Sequence, residues 1–149
     1  MKKKILLIDG HPDELSYCTA LSKAYKKGAT ETGAEIEEIT IRDLDFQLNL
    51  QYGYRKRTEL EPCLLEAQRK FFDADHIVWV HPVWWGSYPA IMKGFIDRVF
   101  LPQFFFKKIP GKSTTWAKLL TNKSAHIIYT LDTPKIFWWF TGRSNISNN

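Results

Sequence analysis

Two stretches of the chain are apolar almost without interruption: KILLIDG at residues 4–10 and HIVWVHP at residues 76–82. Runs of this length predict strands buried on both faces, as in the middle of a parallel sheet. SAHIIYT at residues 124–130 predicts one more strand, and EIEEITI at residues 35–41, which mixes charge with isoleucine, predicts an edge strand with a wetter face. Helical spacing fills the intervals. Tyr17, Leu21, Ala24, Tyr25 and Gly28 recur on one face, with a stop at Gly33. Residues 63–73 carry Leu64, Leu65, Ala67, Phe71 and Phe72, predicting a short helix. The strongest pattern spans residues 87–100, where Pro89 suits a first turn and Ile91, Met92, Phe95, Ile96, Val99 and Phe100 form a wide apolar face. Residues 42–62 are polar and irregular, and residues 101–112 read as a loop.

Strands alternating with helices predict βαβ units, an α/β fold, a parallel sheet and right-handed crossovers. Ligands bind such sheets beyond the carboxyl ends of the strands, where strand order switches. Three segments lie there: residues 10–18, 82–87 and 131–134. The first leads from a strand into a helix N-terminus, whose free N–H groups and dipole attract an anion. Ser16 can cap that helix or donate to a phosphate oxygen, and His11 adds a second donor. Neither GxGxxG nor GxxxxGK[ST] is present, which argues against a Rossmann dinucleotide site and a nucleotide triphosphatase.

In the second segment Trp84 and Trp85 stand where the strand has ended and the helix has not begun. Each is costly to leave in water, since burying a large aromatic is worth about 2–3 kcal/mol. Core packing or a dimer contact is the usual fate of such rings. Gly86 follows at once, however, and lets a backbone approach a flat ligand closely. Aromatic area beside bare amides suits a planar heteroaromatic ring, with flavin as the candidate.

The segments GHPDELSYCTAL, ADHIVWVHPVWWGSYPAIMKGFIDRVF and LDTPKIFWW resemble the flavodoxin-like NAD(P)H:quinone oxidoreductases, the bacterial NADPH-quinone reductases of the modulator of drug activity B type, over about residues 4–143. That resemblance implies a flavodoxin-like three-layer sandwich at residues 1–143, a parallel sheet in 2-1-3-4(-5) order and a polar tail at residues 144–149. Relatives continue for another helix and a fifth strand, for which GRSNISNN shows no pattern.

By the same resemblance His11, Ser16, Tyr17 and Cys18 hold the phosphate or pyrophosphate of a flavin, FMN or FAD. Relatives often carry Asn at the position of Cys18. Pro82, Val83, Trp84, Trp85 and Gly86 line the isoalloxazine, and Thr130, Leu131, Asp132 and Thr133 form the opposite wall. Trp85 and Phe106 belong to the substrate pocket, Phe106 reaching across a homodimer to the partner's site. The implied reaction is a two-electron ping-pong hydride transfer from NAD(P)H through flavin to a quinone or similar flat acceptor, with no catalytic acid, base or nucleophile in the first half-reaction. The resemblance also admits a flavin-bearing regulatory subunit of a potassium efflux system, and a flavodoxin-like electron carrier. The net charge of +5 ranks the carrier last, because carriers tend to be acidic.

Composition narrows the remainder. The 149 residues suffice for one domain with a sizeable core. No apolar run nears the roughly 20 residues of a membrane span, and ILLI is too short for a signal-peptide core, so a cytoplasmic location without membrane insertion is expected. The positive charge is scattered rather than gathered in a stripe, which argues against nucleic acid as a partner. Cys18 and Cys63 form no CxxC, and no metal site is expected. His81 and His126 are expected as structural histidines, His76 offers no metal partner, and Lys93 with Asp97 as a weak surface pair. The cluster PKIFWWF at residues 134–140 is expected to be partly buried.

Overall fold

The computed structural model describes residues 2–53, 55–109 and 115–133. Its central sheet holds β1 (Lys4–Asp9), β2 (Glu35–Thr40), β3 (His76–Pro82) and β6 (Ser124–Thr130) in the order β2-β1-β3-β6, every pair parallel. β1 and β3 are the inner strands and are buried nearly end to end, which explains their unalternating apolar sequence. β2 and β6 form the edges, and β6 is largely exposed, so its apolar sequence does not reflect two-sided burial. A fifth strand, the aromatic cluster at residues 134–140 and the tail at 144–149 fall outside the described residues.

The two faces of β1 divide the core. Ile5 and Leu7 point to one side with Val78, Val80 and Cys18, packed on helix α1 (Tyr17–Glu31). Leu6 and Ile8 point to the other, with Leu64, Phe71, Phe95 and Val99 of helices α2 (Pro62–Asp73) and α3 (Ala90–Val99). This is the α/β three-layer sandwich, β6 taking the place of the fourth strand.

Three expectations are corrected. Ala24, Gly28 and Tyr17 of α1 are exposed; its buried face runs through Cys18, Ser22 and the half-buried Leu21, Tyr25 and Ala29. Small polar side chains against the sheet hid that face. Helix α3 starts at Ala90 rather than Ser87, with Pro89 as its N-cap. Ser87 is engaged in a turn with Trp84, and Tyr88 precedes a proline, which disfavours helical dihedrals. The segment after α3 contains an antiparallel hairpin of β4 (Phe106–Lys108) and β5 (Trp116–Lys118), three-residue strands too short to show a period.

The polar stretch after β2 begins as a 3-10 turn (Ile41–Asp43) and then lies across α3. Gly94 admits it: a Cβ there would stand 2.9 Å from the Leu48 carbonyl oxygen. Phe46 meets Phe95 edge to face with ring centroids 6.2 Å apart.

Candidate flavin-binding site

The carboxyl ends of β1, β3 and β6 converge. The Val83 N–H donates to the Thr130 carbonyl at 2.9 Å, and the Cys18 thiol lies 3.2 Å from the Thr130 hydroxyl. His11 meets Trp84 edge to face at 5.4 Å, joining the loop after β1 to the loop after β3. Gly10 lies so close to Met92 and His81 that an added Cβ would stand 2.7 Å from the Met92 sulfur.

Residues 84–87 form a tight turn. Trp84 and Ser87 exchange backbone hydrogen bonds at 2.9 and 3.0 Å, and the central residues Trp85 and Gly86 have φ of 52° and 71°. Positive φ at both central positions is the type I′ geometry, normally the province of Asn-Gly. A tryptophan in the left-handed region costs about 1–2 kcal/mol, yet the Trp85 ring is fully exposed and recovers none of that by burial. Strain of this sort, kept without packing in return, points to function. The N–H groups of Val83 and Trp84 are spent inside the protein, whereas those of Trp85 and Gly86, at the turn's tip, have no partner among the described residues. A Cβ on Gly86 would meet nothing within 4 Å, so the space beside it is free.

At the start of α1 Ser16 is the N-cap, its Oγ accepting from the Thr19 N–H at 3.1 Å. The first amides of a helix have no intrahelical partner; that of Thr19 is capped, and those of Tyr17 and Cys18 have no hydrogen-bond partner among the described residues. His11 has its own N–H on Asp9 at 3.0 Å, while its Nδ1 accepts from the Asp13 N–H at 2.9 Å, which places the ring proton on Nε2. Burial pushes the Cys18 thiol up from its ordinary pKa, with the Thr130 hydroxyl opposing, so the side chain adds no negative charge to an anion site.

The expected site residues therefore divide. His11, Trp84, Cys18 and Thr130 come together; Trp85, Gly86, Tyr17, Asp132 and Thr133 are exposed around them. Leu131 is half-buried, whereas Pro82 and Val83 are buried beneath the turn. Phe106 sits on β4 with its ring 5.3 Å from Trp116. Sequence reading missed Asp9, Thr19 and Arg42, which form a hydrogen-bonded cluster under the first loop. The signal was a charged residue ending an apolar strand, in ILLID.

His81 is buried, its Nδ1 donating to the Pro82 carbonyl at 2.9 Å and its ring edge against Tyr88. His126, by contrast, is exposed on the edge strand, which corrects its expected role as a structural histidine. Burial lowers the pKa of His81, with the Pro82 carbonyl opposing. Because its folded value lies below its unfolded one, the unfolded chain gains a proton first as pH falls. Stability is thus expected to decline below about pH 6.5. Chemical denaturation across that range measures it, and the His81→Phe variant should show a shallower pH slope.

Among the described residues the shelf at residues 84–86 is open. A cleft of about 330 Å³ lies elsewhere, lined among others by Leu50, Lys56, Leu60, Leu65, Leu101 and Phe104. Its lining is mostly apolar, whereas the strand ends offer the Trp85–Gly86 turn and the Ser16-capped start of α1, so the chemistry favours the shelf. Among the described residues no three His, Cys, Asp or Glu gather to hold a metal ion, and no helix is long and apolar enough to cross a membrane.

Comparison with known proteins agrees with this geometry. A family model described as the flavodoxin-like fold matches residues 3–143. The ribosyldihydronicotinamide dehydrogenase [quinone] of Rattus norvegicus is 31% identical over 129 residues, covering 73% of this chain and 55% of that protein. The chain thus spans about half the length of that relative. Among solved structures, the NAD(P)H:quinone oxidoreductase from Methanothermobacter marburgensis aligns with a TM-score of 0.79 at 18% identity, covering 95% of this chain and 73% of the other. An FMN-dependent NADH-azoreductase from Bacillus anthracis, solved in complex with FMN, aligns at 0.68 and 21%, covering 87% and 69%. With its parallel sheet, its three layers and a family match along nearly its whole length, the chain belongs to the flavodoxin-like fold family, among relatives that include NAD(P)H oxidoreductases and quinone reductases.

Proposed function

We propose that this protein is a flavin-dependent NAD(P)H oxidoreductase acting on quinones or similar flat acceptors. The observation that carries the reading is the strained, fully exposed Trp85 beside Gly86, with open amides next to the free N–H groups at the start of α1. The naming of the rat relative as a quinone-linked dehydrogenase, and of the azoreductase as FMN-dependent, supports it.

The residues fit FMN or FAD. The amides of Tyr17 and Cys18, aided by His11 and the Ser16-capped helix end, would hold the phosphorylated tail. Trp85 and Gly86 would donate to the polar edge of the ring, and Trp84 would support it from the side of His11. Pro82 and Val83 set the turn from beneath, and Thr130, Leu131, Asp132 and Thr133 bound the far side. When bound, the cofactor supplies two-electron hydride chemistry between NAD(P)H and the acceptor in a ping-pong cycle. The protein's part is to position the ring, shield it from water and direct N–H dipoles at the edge where negative charge develops. No side chain is asked to act as acid, base or nucleophile for the first transfer.

Among the described residues nothing covers the shelf, which leaves room for a homodimer in which Phe106 of β4 helps cover the other site. A cytoplasmic location completes the reading. The test is anaerobic: NADPH should bleach the absorbance of the FMN-loaded protein and a quinone should restore it. Failure to bleach overturns the oxidoreductase reading.

A further inference from the structure

Beneath the loop after β1, three chain segments meet on one carboxylate. Asp9, the last residue of β1, is buried. Its Oδ1 accepts from the His11 N–H at 3.0 Å, and its Oδ2 accepts from the Thr19 hydroxyl at 2.8 Å. Thr19 in turn gives its N–H to the Ser16 cap. One carboxylate therefore fixes the loop's entry at His11 and the first turn of α1 together. Arg42, from the 3-10 turn after β2, donates through Nη1 to Asp9 Oδ2 at 2.8 Å, to the His11 carbonyl at 3.2 Å and to the Thr19 hydroxyl at 3.3 Å.

A carboxylate is well suited to ordering backbone N–H and hydroxyl donors, but it carries the wrong charge for a loop that receives a phosphate. Near a protein surface one uncompensated charge within a few ångströms of another is worth on the order of tenfold or more in binding. We infer that Arg42 is a positioning residue of the anion site: it cancels the buried Asp9 charge, so that Asp9 orders the loop without repelling the cofactor's phosphate. This rests on the proposed flavin reading and deepens it, since it makes preference for a phosphorylated flavin depend on an arginine that acts through Asp9. The Arg42 side chain is only 16% exposed and is committed to Asp9, His11 and Thr19.

An ion pair that merely held the fold together would affect all flavins alike, so the test compares FMN with riboflavin, which lacks the phosphate. The intact chain is titrated with each and flavin fluorescence quenching is followed. Arg42→Met should weaken FMN binding about tenfold while changing riboflavin binding less than about twofold. Arg42→Lys, which keeps the charge, should retain most of the FMN preference. The double variant Asp9→Asn/Arg42→Met, with both charges removed, should recover it, and decides the matter if the single Met variant does not fold. Equal losses for the two flavins, no loss, or a double variant no better than Arg42→Met would overturn the inference and leave the flavin reading intact. A wild-type protein that binds neither flavin overturns both.

Discussion

Arg98→Met should lower the free energy of unfolding by about 3 kcal/mol, near the low end of what breaking a buried ion pair costs. Arg98 is 1% exposed on α3. It donates to the Gln47 carbonyl at 2.6 Å and the Glu59 carbonyl at 3.0 Å, and forks onto Glu61 at 2.8 and 3.3 Å. Burial pushes the Glu61 carboxyl up, but hydrogen bonds from the Gln47 amide and Arg98 outweigh it and hold the group below its ordinary pKa. Removing the guanidinium takes a donor from two carbonyls and leaves the Glu61 carboxylate with the Gln47 N–H alone of its two partners. The partial exposure of Glu61 limits the loss, and the Arg98 Nε, already unpartnered, gives a little back. One turn earlier Gly94 receives Leu48, so both residues clamp the same segment to the helix. Urea denaturation should show the lower midpoint, and proteolysis should cut first within residues 47–61. An unchanged midpoint would mean that the segment is held by packing alone.

Trp85→Gly should have effects of opposite sign on fold and function. Glycine accepts φ of 52° without the left-handed penalty, so stability should hold or rise by up to about 1 kcal/mol. FMN affinity should fall about tenfold, the worth of a good aromatic contact. Thermal melting without ligand and FMN titration measure the two halves. A variant that melts earlier would show that the ring is a structural anchor, and one that binds FMN as tightly would remove Trp85 from the site.

Much of this molecule was legible in its sequence because the inner strands are read without ambiguity. ILLI and IVWV are apolar on every residue, and a parallel sheet covered by helices on each side buries both faces of its inner strands. The helix edges were less legible, since they depend on which backbone groups are already spent. Nothing in SYPAIMK says that Ser87 bonds back to Trp84, which moves the start of α3 to Ala90. The wide apolar face of α3 was plain, whereas that of α1 was misread because it presents Cys18, Thr19 and Ser22 to the interior.

At the site, Trp84, Trp85 and Gly86 stood out by chemical type at a place where the fold puts ligands. Their left-handed turn did not, because Trp-Gly is not a usual type I′ pair. The cluster of Asp9, Thr19 and Arg42 was hidden for another reason. It is made by three residues far apart in sequence, each ordinary in its own surroundings, and only the parallel pairing of β1 with β2 brings Arg42 beside the end of β1.

The central claim is that a flat, phosphorylated cofactor lies against the turn at residues 84–87 with its tail at the start of α1. An amide-resolved NMR titration of the whole chain with FMN tests it most directly. Saturable shifts should concentrate on the N–H groups of Tyr17, Cys18, Trp85 and Gly86, together with the indole signal of Trp85. Shifts confined to the apolar cleft near Leu60 and Phe104, or none at all, would contradict it.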